Sequence, residues 1–439
     1  MKKHARFAAA VLGFLAAAAP SAWGQAPPKA PKRPARAEQQ REDPLASLLK
    51  QAEEAIEKKD YSAALPPLES YLAQRPDDAY AHFQLGYAFS LLQRFDDAKA
   101  EYARAIALNP KLAAAHVNLG LILLDKDPAA AVAPLHQAAE LEPEKARPRF
   151  LEGLALERSG KLPEAILKYE AAAKLDEKNF DIRFAWGRAL LAANRAADAE
   201  AAFRAAIALR ADSAPAHLGL ANSLLSQKKT DTAAREFGAY LQLQPQDREA
   251  RTERAGLLVD LDQNDEALAE LDRADAGAAP TLASLKLRAE IAVKQKKPAA
   301  AAEALKKAVE LAPRDVELHA RLGRTLLEEK DYPEAERELR TALVINPQWT
   351  DALRDLVALY YVSQHYAATL DALDRLAQRE EPNAGTWFIR AACYDKLGRN
   401  AEAVTAYEKF LALDQGRSES QTFIAHERIR FLKLQQKKK

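Results

Sequence analysis

In 439 residues the chain has one cysteine, Cys393, and one methionine, Met1. A lone thiol excludes an internal disulfide and a thiolate zinc site, which leaves packing as the expected role of Cys393. Glycine is scarce, at 15, and runs of β-branched residues are few, so helix is favoured and strand is not. Neither sign of charge prevails. The 64 Lys and Arg stand against 63 Asp and Glu, without the basic surplus or stripe that nucleic-acid binders carry. The basic clusters Lys29, Lys32, Arg33, Arg36 and Lys437 to Lys439 read as solvated tails. There is no Gly-rich phosphate loop, nucleophile elbow, His-Glu-x-x-His or acidic calcium loop. The sequence therefore assigns no catalytic residue, cofactor or metal, and the chain is not expected to be an enzyme.

The longest apolar run, Phe7 to Ala19, has 13 residues, whereas a membrane span needs about 20. Lys2, Lys3 and Arg6 precede it and Ala22-Trp23-Gly24 follow with small residues at both positions a signal peptidase reads. Residues 1–24 are therefore expected to be a signal peptide cleaved near Gly24/Gln25. The mature chain should work outside the cytoplasm, in a bacterial periplasm, without an integral membrane span. Loss of Lys2, Lys3 and Arg6 leaves 61 basic against 63 acidic residues, a net of −2. Residues 25–43 hold four prolines and almost no large apolar side chain. Such a segment cannot offset its own ordering entropy and is expected to be a disordered linker.

From there one pattern recurs. Residues 79–112 hold Leu85, Gly86, Phe89, Ala98, Tyr102, Ala105 and Pro110 at offsets that read as two amphipathic helices, a short turn, and a proline before the next unit. The proline slot returns at Pro76, Pro110, Pro143, Glu177, Ala211, Pro245, Ala279, Pro313, Pro347, Glu381 and Gln415, in steps of 34 with a single step of 33. Asp127-Pro128 explains the short step as a turn one residue shorter, with Asp127 as cap and Pro128 opening the next helix. Pro66, Pro67 and Pro134 fall a few residues inside second helices and predict late starts or kinks there. Ser418-Glu419-Ser420-Gln421 reads as a capping box before one last helix.

Unit length and residue order resemble the tetratricopeptide repeat (TPR) family: bulky, Leu-Gly, aromatic, Ala, aromatic, Ala, Pro. Leu119-Gly120, Trp186-Gly187 with Ala199, Phe203 and Ala206, and Leu322-Gly323 with Ala335, Leu339, Ala342 and Pro347 carry the same skeleton. The resemblance implies an all-α, right-handed α-solenoid of about eleven helix pairs over residues 44–417, with a C-terminal capping helix and basic tail at 418–439. Each pair in such an array buries its apolar face only against its neighbours, so the chain can lengthen without a larger core, and its last face needs a polar lid. Ala425, Ile429 and Leu432 suit the inner side of that lid, and Glu427, Arg428, Arg430 and Lys433 its wet side.

His82, His116, His217 and His319 share one slot in four units, where Leu48, Leu285, Leu353 and Trp387 stand in others. Packing is the expected reason. Metal binding would need ring nitrogens within about 2.1 Å of one ion, and stacked helices keep equivalent side chains about 9 to 10 Å apart.

The resemblance also places partner contacts on the concave face lined by the first helices, where a protein or peptide would lie in the groove. At the N-terminal end those slots hold Tyr80, Phe83, Tyr87, Val117, Phe150 and Phe184; at the C-terminal end they include Glu290, Arg321, Arg324 and Arg354. One end of the groove is thus expected to be apolar and the other of mixed charge. The implied function is an extracytoplasmic scaffold for protein–protein interaction, in envelope assembly or export. A holding chaperone for extended polypeptides and an accessory subunit of an envelope enzyme complex are the alternatives.

Overall fold

A computed structural model describes residues 44–436, among which there are 23 α-helices and no strand. The expected leader and linker, Asp43 and the last three lysines lie outside the described residues. The chain divides into two units that meet in sequence at Pro245 and Gln246. The first unit has six helix pairs: α1 (Pro44–Glu57) with α2 (Tyr61–Gln74), α3 (Ala79–Leu91) with α4 (Phe95–Leu108), α5 (Ala113–Lys126) with α6 (Pro128–Leu141), α7 (Ala146–Arg158) with α8 (Leu162–Leu175), α9 (Phe180–Ala192) with α10 (Ala196–Leu209), and α11 (Ala214–Ser226) with α12 (Thr230–Leu243). The second has five: α13 (Arg248–Asp260) with α14 (Asn264–Asp275), α15 (Leu282–Lys294) with α16 (Pro298–Leu311), α17 (Val316–Glu328) with α18 (Tyr332–Ile345), α19 (Thr350–Val362) with α20 (Tyr366–Ala377), and α21 (Ala384–Lys396) with α22 (Asn400–Asp414). A single helix, α23 (Glu419–Gln436), follows. Within each unit a helix packs on its mate and on the next pair, the stacking of an α-solenoid.

Two slots set the seam inside a pair. The first helix offers a small residue and the second a ring or a leucine: Tyr102, Tyr169 and Phe203 are wholly buried against Gly86, Gly153 and Gly187. A Cβ on Gly153 would lie 2.7 Å from the Tyr169 ring, and one on Gly120 2.4 Å from Leu135. A glycine there lets the helices close on a large partner. Where the glycine is replaced, by Ala221, Ala255, Ala289 or Val357, the second helices still bury Phe237, Leu271, Leu305 and Leu373.

Turns within pairs carry one left-handed residue each, among them Gln93 (φ 60°), Lys228 (φ 60°) and Lys330 (φ 65°), with glycine at Gly160 (φ 81°) and Gly398 (φ 73°). Behind Gln93, the Arg94 amide donates to the Phe89 carbonyl at 2.9 Å, the bond that closes a left-handed helix stop. The α5–α6 turn has no such residue. It is the shortened turn, and Asp127 caps α6 by accepting from the Ala130 amide at 3.0 Å, with Pro128 in the first turn.

The interior prolines do not delay their helices. Pro66 and Pro67 lie inside α2, which starts at Tyr61, and Pro134 lies inside α6, which starts at Pro128. Four residues back, where a proline leaves a carbonyl without its donor, stand Ser62, Ala63 and Ala130, all exposed, so the freed carbonyls lie within reach of solvent. The Ser418 capping box is also corrected: the Ser418 hydroxyl donates to Asp414 Oδ1 at 2.8 Å and its amide to Oδ2 at 2.9 Å, which holds that carboxyl below its ordinary range. Asp414 ties the end of α22 to the start of α23.

Candidate interaction face

First helices of neighbouring pairs touch one another, α5 with α7 and α9 with α11 in the first unit, α13 with α15 and α17 with α19 in the second. In the first unit this face is largely core. Every residue of α3 from Ala81 to Ser90 is buried. Phe83 has 0 % of its surface exposed and packs in parallel on Tyr87, with ring centroids 6.4 Å apart, and obliquely on Tyr102 at 5.7 Å. Tyr61 covers the Tyr87 ring edge-on at 6.5 Å, and burial raises the Tyr87 phenol. Phe184 is buried between Phe180, at 5.7 Å, and Phe203, at 5.9 Å, and Val117 is buried as well. Four of the six expected apolar contacts are therefore used inside the fold. An apolar side chain in such a slot gains more by leaning into the seam between adjacent first helices than by standing in water.

Phe150 and Tyr80 remain half-buried. Phe150 lies 5.9 Å from the Tyr169 ring, and the Tyr80 hydroxyl donates to Glu53 at 2.8 Å while accepting from Gln84 at 2.8 Å.

The second unit presents charge, most of it tied between neighbouring repeats. Lys286 meets Asp315 at 2.8 Å, Arg324 meets Asp355 at 3.0 Å, and Arg354 bonds Asp351 at 2.7 Å and reaches Glu380. Burial raises the Asp355 carboxyl despite Arg324. Arg321 differs: it is half-buried, and among the described residues its guanidinium has no ion pair or hydrogen bond. Glu290 is also half-buried and makes no ion pair there. At the start of this unit, burial first and then Asp247 and Glu249 push the Glu253 carboxyl up to about 7. An uncompensated cation and a proton-holding carboxyl on one run of first helices can receive an anionic or hydrogen-bonding group.

The shared histidine slot holds a built arrangement that reading the residues one unit at a time missed. His82, His217 and His319 set Nδ1 at 2.6, 2.7 and 2.7 Å from Glu101, Glu236 and Glu338 on the second helix. Their Nε2 atoms lie 3.0, 3.1 and 3.1 Å from the carbonyls of Pro76, Ala211 and Pro313, in the turn before the first helix. His116 keeps the bond to the Pro110 carbonyl, at 2.9 Å, but its Nδ1 is buried without a partner, because Pro134 occupies the glutamate's place. In α13 the slot holds Arg251, paired with Glu270 at 2.7 Å. Apolar versions pair Leu285 with Ala304, Leu353 with Ala372, and Trp387 with Ala406 in the same two slots. The legible signal was a His-to-Glu separation of 19, repeated three times. These contacts tie the repeats that carry the histidine to their preceding turns, and among the described residues no group of three His, Cys, Asp or Glu is placed to hold a metal. Cys393 is buried and its thiol is pushed up to about 11, so it is a packed thiol rather than a ready nucleophile.

Profiles described as "Tetratricopeptide repeat" match residues 49–93, 126–180, 184–247 and 218–283, and others of the same description match 79–112, 292–360 and 384–417. No curated protein matches the chain in sequence. Among solved structures, YrrB, "a TPR protein with an unusual peptide-binding site", is 18 % identical over 42 % of this chain and 95 % of its own, with a TM-score of 0.39. A MamA fragment from Desulfovibrio magneticus RS-1 is 20 % identical over 39 % of this chain and 98 % of its own, with a TM-score of 0.37. Yeast Tom70 is 13 % identical over 90 % of this chain and 96 % of its own, with a TM-score of 0.32. Among the described residues no helix is long and apolar enough to cross a membrane.

Proposed function

The chain belongs to the tetratricopeptide repeat family, and from that premise we propose that it is a non-catalytic scaffold for protein–protein interaction. It takes its partner on the first helices of the second unit. The observation that carries the reading is Arg321, the half-buried guanidinium without a partner on a face where Lys286, Arg324 and Arg354 are paired. A partner segment that brings a carboxylate there completes a charge-assisted bond, one of the stronger polar contacts an interface offers. Burial of Phe83, Tyr87, Val117 and Phe184 leaves capture of unfolded polypeptide without the apolar surface it needs in the first unit, and favours a defined partner.

The place of action is the extracytoplasmic space, in envelope assembly or export. The leader pattern of Lys2, Lys3, Arg6, the apolar run Phe7–Ala19 and Ala22-Trp23-Gly24 supports this part. Intact-mass measurement of protein extracted from the cell envelope tests it: the expected chain begins at Gln25, and one that retains Met1 overturns it.

In-cell photocrosslinking tests the face. A crosslinker at Arg321 or Glu290 is expected to capture one or two defined proteins, while one at Val344, on the second helix α18 and 80 % exposed, captures none of them. Equal capture from both positions would refute the assignment.

A further inference from the structure

Helix α23 lies on the last pair through Ala425 and Leu432, both buried, with Ile429 partly so. Arg428, expected in water, is half-buried and bonds Asp395 at 2.6 and 2.5 Å. On the opposite face Glu427, Arg430 and Lys433 are exposed as expected of a lid, but apolar residues stand among them. Phe423, Ile424, Phe431 and Leu434 are 69, 44, 47 and 54 % exposed. Exposed apolar residues are ordinary when scattered, whereas four grouped on one helix mark an interaction surface.

Their arrangement says what the surface fits. With about 100° between successive residues of a helix, Phe423, Glu427, Arg430 and Leu434 fall on a single line in steps of four, three and four, directly opposite Ala425 and Leu432. Phe431 and Ile424 flank that line on one side. Glu427 and Arg430 are exposed and make no ion pair or side-chain hydrogen bond among the described residues. The line is therefore apolar at both ends and carries one charge of each sign at its centre.

We propose that this face binds a second copy of the same chain, with the two α23 helices antiparallel about a twofold axis that passes between Arg428 and Ile429. In that register Phe423 meets Leu434 of the partner subunit, and Glu427 meets Arg430 of the partner subunit. The symmetry repeats both contacts, as an isologous interface requires. Ile424 and Phe431 widen the apolar contact along one side. A parallel pairing would set Glu427 against its own copy and Arg430 against its own copy, a like-charge cost that selects the antiparallel form. One helix face per copy buries less than the roughly 1,200 Å² at which stable interfaces begin, so the association is weak and depends on concentration.

Sedimentation velocity of the full chain over a concentration series tests this, with circular dichroism to establish that each variant keeps its helicity. The wild-type chain is expected to move from monomer to dimer. Glu427→Arg and Arg430→Glu should each weaken dimerisation about tenfold or more, and the double variant should restore it, since both pairs re-form with reversed polarity. Phe423→Ser should abolish the dimer. A chain that stays monomeric throughout, a double variant as weak as the singles, or a Phe423→Ser chain that still dimerises would overturn the proposal. So would sedimentation of the monomer with vesicles of phosphatidylglycerol and phosphatidylcholine in a manner that depends on Phe423, which would give the face to a lipid surface.

Discussion

The same run of first-helix slots is spent differently in the two units. Up to Pro245 it is filled with rings that pack on one another, as Phe83, Tyr87 and Phe184 do; beyond Gln246 it is filled with charges that reach across repeats, as Lys286, Arg324 and Arg354 do. An apolar slot is absorbed by the fold and ceases to be surface. A charged slot remains surface because its head group must stay solvated or paired. Sequence position alone therefore marks a face of a helix without marking a binding site, and the chemistry of the residue decides which it becomes.

The sharpest way to break that contrast is to cut into the first unit. Phe83→Ser removes a wholly buried ring and should cost about 3–5 kcal/mol, read as lost protection from hydrogen exchange concentrated in α1 to α6, because stacked repeats open locally. Unchanged protection together with weakened partner capture would make Phe83 a surface anchor after all.

A second comparison lies inside the second unit, where neighbouring repeats fill one pair of slots with His319 and Glu338 or with Leu285 and Ala304. Glu338→Ala should cost about 1–3 kcal/mol in chemical denaturation, as it strands a buried polar group. His319→Leu combined with Glu338→Ala should recover most of that loss by reproducing the apolar version. Additive losses in the double-mutant cycle would show the two slots to be independent.

A pH-dependent effect of comparable size belongs to Glu253. Its carboxyl lies above the ordinary value of 4.5, at about 7, so between those two values the folded chain binds more protons than the unfolded one. Stability contributed by this group is present below pH 4.5 and falls as pH rises towards 7. The melting-temperature difference between Glu253→Gln and wild type should therefore grow in favour of the variant from pH 5 to pH 7.5, and a constant difference would count against the burial of this carboxyl.

The least effect on the fold belongs to Arg321. Arg321→Glu should leave melting within about 0.5 kcal/mol, as substitutions of surface groups without partners do, yet weaken partner binding, most strongly at low salt. Arg324→Glu is the companion: it breaks the bond to Asp355, so it should disturb both stability and binding.

Much of this architecture was legible in the residues. The 34-residue period set the pair count, the step of 33 located the Asp127-Pro128 turn, and small residues opposite rings marked the seams. The His-to-Glu ties were legible too, though only when equivalent slots on the two helices of a pair are read together. The outer stripe of α23 was not legible as surface, because apolar residues stand on both faces of that helix and only its packing on the last pair decides that Ala425 and Leu432 are buried while Phe423, Ile424, Phe431 and Leu434 are left exposed. Illegible were the interior of α3 and the freedom of Arg321. How closely the neighbouring helices approach Phe83, and whether any carboxylate comes within reach of Arg321, depend on residues many positions away that meet only when the pairs stack. Periodicity and capping are properties of consecutive residues, so the sequence by itself determined the helices, their turns and their register. Burial and pairing are properties of distances between elements, and those the tertiary structure alone decided.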